Sequence, residues 1–102
     1  MASKKRASLE QLAEQAVRLG ADELEVEYKA GCEEVFAMKS NYGLGIASLR
    51  SSSPEAKSLQ HELYALAKKK QRVTIDDRTY ELRARIFDSF GEDAFRVKLR
   101  PL

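Results

Sequence analysis

The amino-acid sequence predicts an α+β domain in which an antiparallel β-sheet carries two helices on one face. Three observations favour this class. Apolar residues recur at helical spacing in two segments, they alternate with charged residues in several others, and these segments follow the order αββ(β)αβββ. Clean alternation is typical of strands with one buried and one solvated face, so we expect both helices on the buried face.

The first helix follows a short basic segment. Residues 1–8, MASKKRAS, have a basic start but no apolar run, which predicts a flexible basic tail rather than a signal peptide. Gly20 supplies the end of the helix. The apolar side chains at helical spacing before it are Leu9, Leu12, Ala13, Ala16 and Val17. Residues 9–102 are predicted to form one α+β domain, since the chain is short.

Two or three strands are predicted between the helices. The segment DELEVEYK alternates apolar and charged residues, and Ala30–Gly31 predicts the turn that follows it. The segment CEEVFAMK predicts a second strand, and SNYG predicts a second turn. LGIASLR then predicts a third strand, unless residues 33–49 form one long strand with a bulge at Gly43 or Gly45.

A second helix is predicted after a serine-rich boundary. Ser53 can cap the helix, and Pro54 fits its first position. Lys68, Lys69 and Lys70 suit its end, where the helix dipole favours positive charge. The apolar face of this helix comprises Leu59, Leu63, Leu66 and Ala67.

Three further strands are predicted in the last part of the chain. RVTID predicts the first, and the alternation of apolar and charged residues predicts strands at residues 80–86 and 95–99. We expect residues 88–92 to form the loop between the last two, with Gly91 at a positive φ.

The composition leaves few candidates for chemistry. The chain of 102 residues has a net charge of +2, one cysteine and one histidine, so a disulfide within the chain and a Cys/His metal cluster are excluded. His61 lies off the apolar face of its helix, and we predict no catalytic, cofactor-binding or metal-binding residue. The expectation is a protein that is not an enzyme, has no membrane span and resides in the cytoplasm.

The most informative feature is a set of basic residues on the last two strands. Strand periodicity sends them to one side of the sheet if the two strands pair as a hairpin. We call this set the basic surface and predict that it binds a partner; it comprises Arg83, Arg85, Arg96, Lys98 and Arg100.

Two interpretations of the basic surface depend on strand order. If the first strand lies beside it, Glu23, Glu25 and Glu27 form cross-strand ion pairs with the basic residues and neutralise them. If the first strand lies at the opposite edge, the basic residues stay free to meet an acidic partner or phosphates.

The predicted function is that of a protein-interaction or regulatory module. Arginine is a residue type that protein interfaces favour. The alternative is a small RNA- or DNA-binding domain that uses the same basic residues, but no stacking aromatic is clearly interleaved with them. The sequence leaves the partner's identity and the oligomeric state open.

Two stretches resemble a known family. GADELEVEY resembles the GASDIHIEP segment of type II secretion and type IV pilus ATPases, with Gly20 and Ala21 identical. SNYG occupies the place of the family's RIDG turn and keeps Gly43. Residues 78–99 are similar to the family's GR…VRVSTIPSxxGE…RLL hairpin. The matching positions there are Arg78, Arg83, Gly91, Glu92, Arg96 and Leu99.

This resemblance spans about residues 9–100 and implies the PAS-like N-terminal module of those ATPases without their ATPase domain. The family's histidine falls on Glu25 here, and the hairpin loop is one residue shorter and has no proline. The resemblance implies a regulatory module that contacts a secretion or pilus ATPase. It also implies that Arg83 and Arg96 approach nucleotide bound on an ATPase domain of another chain.

Overall fold

The computed structural model describes residues 8–102 of the chain. The predicted basic tail, residues 1–8, lies outside this range except for Ser8, where the first helix begins. The two helices are α1 (Ser8–Arg18) and α2 (Pro54–Lys68). The strands are β1 (Glu23–Lys29), β2 (Cys32–Lys39), β3 (Tyr42–Arg50), β4 (Gln71–Ile75), β5 (Arg78–Ser89) and β6 (Glu92–Pro101).

The strands form one antiparallel sheet of six in the order β3-β2-β1-β6-β5-β4. Each half of the sheet is a meander of three strands that follows one helix. The seam between the halves pairs β1 with β6, where Leu24 faces Val97 and Val26 faces Phe95. The predicted α+β class and order of elements are thus confirmed.

The turns between strands are short. Phe90 and Gly91 alone connect β5 to β6, both with positive φ, so the predicted loop over residues 88–92 is wrong. Paired positive φ values match the twist of a two-residue hairpin, which lets both strands continue to the turn. Gly91 adopts φ +83°, as the sequence predicted.

Between the two helices, β1 is followed by two separate strands, β2 and β3, and not by one long strand. β2 and β3 are joined at Ser40 and Asn41, and Ser40 has φ +53°. The alternative of one long strand with a bulge at Gly43 or Gly45 is therefore wrong. β3 does contain a bulge, at Ile46, because Val35 pairs with Ala47 whereas Phe36 pairs with Gly45.

The helices are fixed by local and tertiary hydrogen bonds. Ser53 caps α2 by accepting a hydrogen bond of 3.1 Å from the backbone N–H of Ala56, and Pro54 occupies the first turn, as predicted. At the start of α1 the backbone N–H of Leu9 donates to the Glu62 carboxylate of α2, at 2.8 Å. This bond satisfies one of the free donors of α1 and ties the two helices together.

The hydrophobic core lies between the helices and one face of the sheet, which we call the helix face. Side chains alternate along each strand, so the other face, here the open face, carries most of the charged strand residues. The largest fully buried side chains are Phe95, Leu24, Leu59, Leu63, Leu66, Ile75, Leu82, Val26, Val35 and Val97. The apolar face predicted for α2 is confirmed, since Leu59, Leu63 and Leu66 are all buried.

Candidate functional site

The residues of the basic surface are brought together on the open face. In the β5–β6 hairpin Arg83 lies opposite Lys98, and Arg85 lies opposite Arg96. Arg100 lies opposite Glu81 at the end of the hairpin nearest β4. Because residues directly opposite each other point to the same side, all five basic side chains share one face.

Four of these residues border a concavity, which we call the basic groove. Its volume is about 580 Å³. Its lining residues are Glu23, Arg83, Ala84, Arg85, Arg96 and Lys98. Arg100 does not line it. The groove therefore presents four basic side chains and one carboxylate to a ligand.

Strand order places the acidic strand beside the basic hairpin. β1 pairs with β6, so that Glu23 lies opposite Lys98 and Glu25 lies opposite Arg96. For this strand order, the sequence predicted that Glu23, Glu25 and Glu27 neutralise the basic surface.

Among residues 8–102, carboxylates lie within 4.0 Å of two of the five basic residues, and one of those carboxylates, Glu81, is shared with Lys70 at 3.4 Å. The Arg96 guanidinium pairs with the Glu25 carboxylate and also lies 3.6 Å from that of Glu23. Arg100 lies 3.7 Å from the carboxylate of Glu81. Glu81 was not among the predicted site residues, although its position two residues before Arg83 places it on the same face.

Arg83, Arg85 and Lys98 have no acidic partner among the residues that the structure describes. Within residues 8–102, none of the three has a carboxylate within 4.0 Å. All three side chains are exposed. Lys98 faces Glu23 across the seam, but the nearest cation to the Glu23 carboxylate belongs to Arg96. Three of the residues that line the basic groove thus carry a positive charge with no carboxylate partner in the described part of the chain.

Two carboxylates next to the groove influence each other. Hydrogen bonding to Glu27 and the interaction with Arg96 lower the pKa of Glu25 despite its partial burial. Hydrogen bonding to Glu25 and burial raise the pKa of Glu27, although the Ser89 hydroxyl donates to its carboxylate at 3.2 Å. Glu27 is therefore the member of the pair that holds a proton to higher pH.

Substitution Glu27→Gln is expected to raise the free energy of unfolding at pH 7 by up to about 0.5 kcal/mol. A carboxyl whose pKa is raised by folding favours the folded state when protonated, and this contribution is lost as pH rises through the raised value. Glutamine is uncharged at every pH and so resembles the protonated form of Glu27. Urea unfolding at pH 7 and below pH 4.5 measures the effect, and the difference should vanish at the lower pH.

The control for this experiment is Glu92→Gln at an exposed position of β6. We expect this substitution, which removes the same charge, not to raise the free energy of unfolding at pH 7 as Glu27→Gln does. A Glu27→Gln protein less stable than the wild type at pH 7 would contradict the assignment.

The lone histidine and cysteine lie on different elements. His61 is exposed on α2, and Cys32 is half-buried at the start of β2. Between Ser8 and Leu102 the structure contains no group of three or more His, Cys, Asp or Glu side chains arranged to hold a metal ion.

Two comparisons with known proteins found no match. The chain matches no protein-family model and no curated protein. Over the described range, neither helix has the length and apolar character that a membrane crossing requires. The resemblance to secretion and pilus ATPases therefore stays a prediction.

Proposed function

We propose that this protein is a non-enzymatic binding module whose basic groove takes an acidic segment of a protein partner. The observation that carries the proposal is the presence of Arg83, Arg85 and Lys98 around one concavity, without an ion-pair partner among residues 8–102. Carboxylates of a partner would complete the pairing that the chain itself leaves open.

The cost of this arrangement to the fold supports a binding role. Like charges directly opposite each other on neighbouring strands are destabilising, and the β5–β6 hairpin has three such pairs. Two of them are basic and lie at the groove, Arg83 with Lys98 and Arg85 with Arg96, and the third, Asp88 with Asp93, is acidic and lies near the turn. Only Arg96 is compensated by the glutamates of β1. A hairpin optimised for stability alone would place opposite charges at these positions, whereas a bound anion relieves the repulsion.

The charges around the groove favour a short acidic segment over a nucleic acid. Glu25, Glu27 and Glu34 occupy the open face on the two strands next to the hairpin. They would repel a phosphate backbone that continued across the sheet. An acidic peptide that lies along β5 and β6 meets the cations, and the one carboxylate that lines the groove, Glu23, lies 3.6 Å from Arg96. The net charge of +2 adds little long-range attraction for a polyanion.

The resemblance to secretion and pilus ATPases adds a candidate partner to this proposal. An ATPase domain on another chain would offer acidic side chains, and its bound nucleotide is also an anion. Arg83 is free to approach such a group, whereas Arg96 would first have to leave Glu23 and Glu25. We propose Arg83 as the residue that makes the first contact.

A direct binding experiment tests the proposed function. Fluorescence anisotropy with a labelled oligoglutamate peptide should show binding at low salt that weakens as salt is added. The double variant Arg83→Glu/Arg85→Glu should reduce the affinity by at least about tenfold, because attraction becomes repulsion. Partner pull-downs from cell extract provide the same comparison for a natural ligand.

The matched control is Lys57→Glu/Arg78→Glu, which makes the same change in net charge. Lys57 lies exposed on α2, and Arg78 pairs with the buried Ile75 on the helix side of β5. This control should still bind the peptide, and its affinity should fall only by the amount that the change in net charge causes. Equal losses in the two double variants would overturn the proposal. Tighter binding of a labelled RNA than of the peptide would establish the nucleic-acid alternative instead.

A further inference from the structure

The two edges of the sheet differ in how well they are protected. β4, at one edge, is only five residues long, contains Arg72 and follows the lysines at 68–70. β3, at the other edge, is nine residues long, has no proline and has Arg50 as its single charged residue. Charges and short length protect an edge from pairing with another chain. The β3 edge lacks these protections.

A group of exposed apolar side chains lies beside the β3 edge. We call it the apolar patch; it comprises Leu19, Tyr42 and Leu44, which are 52%, 84% and 56% exposed. They border a depression of about 250 Å³ that also includes Ala37 and the exposed Lys39, which pairs with Tyr42 from β2. Single exposed apolar residues are common, but a cluster next to unpaired backbone groups is typical of an interaction surface.

We propose that a second copy of this chain covers the β3 edge, with β3 pairing antiparallel to β3 about a two-fold axis. With Gly43 opposite Gly43 of the second copy, Tyr42 lies opposite Leu44 of the second copy, and the contact repeats through the symmetry. Residues directly opposite each other point to the same face, so both apolar pairs form on the helix face. Gly43 lies at the two-fold axis and has no side chain, so no side chain projects from the open face at that point.

The charge distribution favours a second copy as the occupant. The central part of the contact contains no charged residue of β3, so two copies approach without opposing like charges. Arg50 lies at the far end of the strand.

The bulge limits how far the contact extends. The pairing between β2 and β3 is interrupted between Val35 and Phe36, where β3 contributes an extra residue, Ile46. A bulge twists an edge strand and restricts regular pairing to one side of it, here residues 42–45. The interface is therefore short, and we expect a dimer that forms with rising protein concentration rather than an obligate one.

The two-fold axis has a consequence for the basic groove. An axis perpendicular to the sheet keeps all helices on one side and both open faces on the other. Since β6 is the fourth strand from the β3 edge, the two β6 strands lie roughly 35 Å apart in a flat sheet. The dimer would present two grooves to one partner surface, which increases the apparent affinity for a bivalent ligand.

Sedimentation equilibrium over a range of protein concentrations up to about 1 mM tests this proposal. We expect a reversible monomer–dimer equilibrium for the wild type. The variant Leu44→Lys should raise the dimer dissociation constant by at least about tenfold, because it places charge in the apolar contact. Circular dichroism should show an unchanged fold, since Leu44 is already exposed.

The matched control is Leu102→Lys, because Leu102 is exposed to a similar extent, 54%, and lies outside the apolar patch. This variant should dimerise like the wild type. The double variant Arg83→Glu/Arg85→Glu should also dimerise like the wild type, so failure of this proposal can be distinguished from failure of the proposed function. A wild-type chain that stays monomeric throughout would overturn the proposal. So would a dimer that Leu44→Lys leaves intact, or one that Leu102→Lys weakens equally.

Discussion

Replacement of Phe95 by alanine is expected to lower the free energy of unfolding by about 3–5 kcal/mol. Phe95 is the largest of the fully buried side chains and is 1% exposed. It lies on β6, with Val26 opposite on β1 and Ile86 opposite on β5. Its ring also meets Tyr64 of α2 edge-on, with centroids 5.0 Å apart. One side chain thus joins both halves of the sheet to a helix.

Urea unfolding monitored by circular dichroism measures this loss. Small domains have a total stability of about 5–15 kcal/mol, so the variant should be at least partly unfolded or unfold at much lower urea. The matched control is Phe90→Ala, at a hairpin position where the ring is fully exposed. Its effect should stay within about 0.5 kcal/mol. A loss below about 1 kcal/mol at Phe95 would contradict its central place in the core.

Local patterns predicted most of the secondary structure because their causes are local. The spacing of Leu59, Leu63 and Leu66 defines one helical face whatever the rest of the chain does. Ser53 and Pro54 act within one turn of the helix that they start. Strand ends were less well predicted. β5 and β6 continue to Ser89 and Glu92 because their pairing, which is a tertiary interaction, favours a turn of two residues.

Strand order was beyond local reasoning. β1 and β6 are far apart in the sequence, with 71 positions between Glu25 and Arg96, and their pairing depends on how two meanders join over a shared core. Alternation alone is compatible with β1 beside the basic hairpin or at the opposite edge. The sequence therefore predicted that the glutamates and the basic residues share a face, but not whether they meet.

The detailed pairing of charges depends on side-chain reach as well as on strand order. Lys98 faces Glu23, yet the Glu23 carboxylate lies nearer to Arg96, which is diagonal to it. A long guanidinium side chain can contact two carboxylates on the next strand at once. Arg83 and Arg85 lie one strand further away, on β5, and find no such partner among the described residues. The free cations of the groove follow from this geometry.

Substitution Arg96→Met is expected to lower the free energy of unfolding at pH 7 by about 1.5–3 kcal/mol, the range for hydrogen bonds to charged groups. Methionine retains much of the side-chain volume but leaves Glu23 and Glu25 without the guanidinium that they share. Relief of the repulsion between Arg85 and Arg96 offsets only a few tenths of a kcal/mol. Urea unfolding at several pH values measures the effect.

The pH dependence distinguishes loss of the ion pair from loss of packing. Hydrogen bonding to Glu27, followed by the interaction with Arg96, holds the pKa of Glu25 below its ordinary value of 4.5. A carboxylate with a lowered pKa stabilises the fold above its ordinary pKa, and this stability is lost as pH falls through the lowered value. The difference between wild type and Arg96→Met should therefore shrink below pH 4.5. A difference that persists in acid would indicate a packing defect instead.

The matched control is Lys98→Met, two residues away on the same strand and face. Lys98 is exposed and has no carboxylate within 4.0 Å in the part of the chain described, so its replacement should change stability by no more than about 0.5 kcal/mol. Equal losses at the two positions would mean that Arg96 and Lys98 share the carboxylates of β1. The groove would then hold fewer free charges, and its proposed affinity for an acidic segment would fall with them.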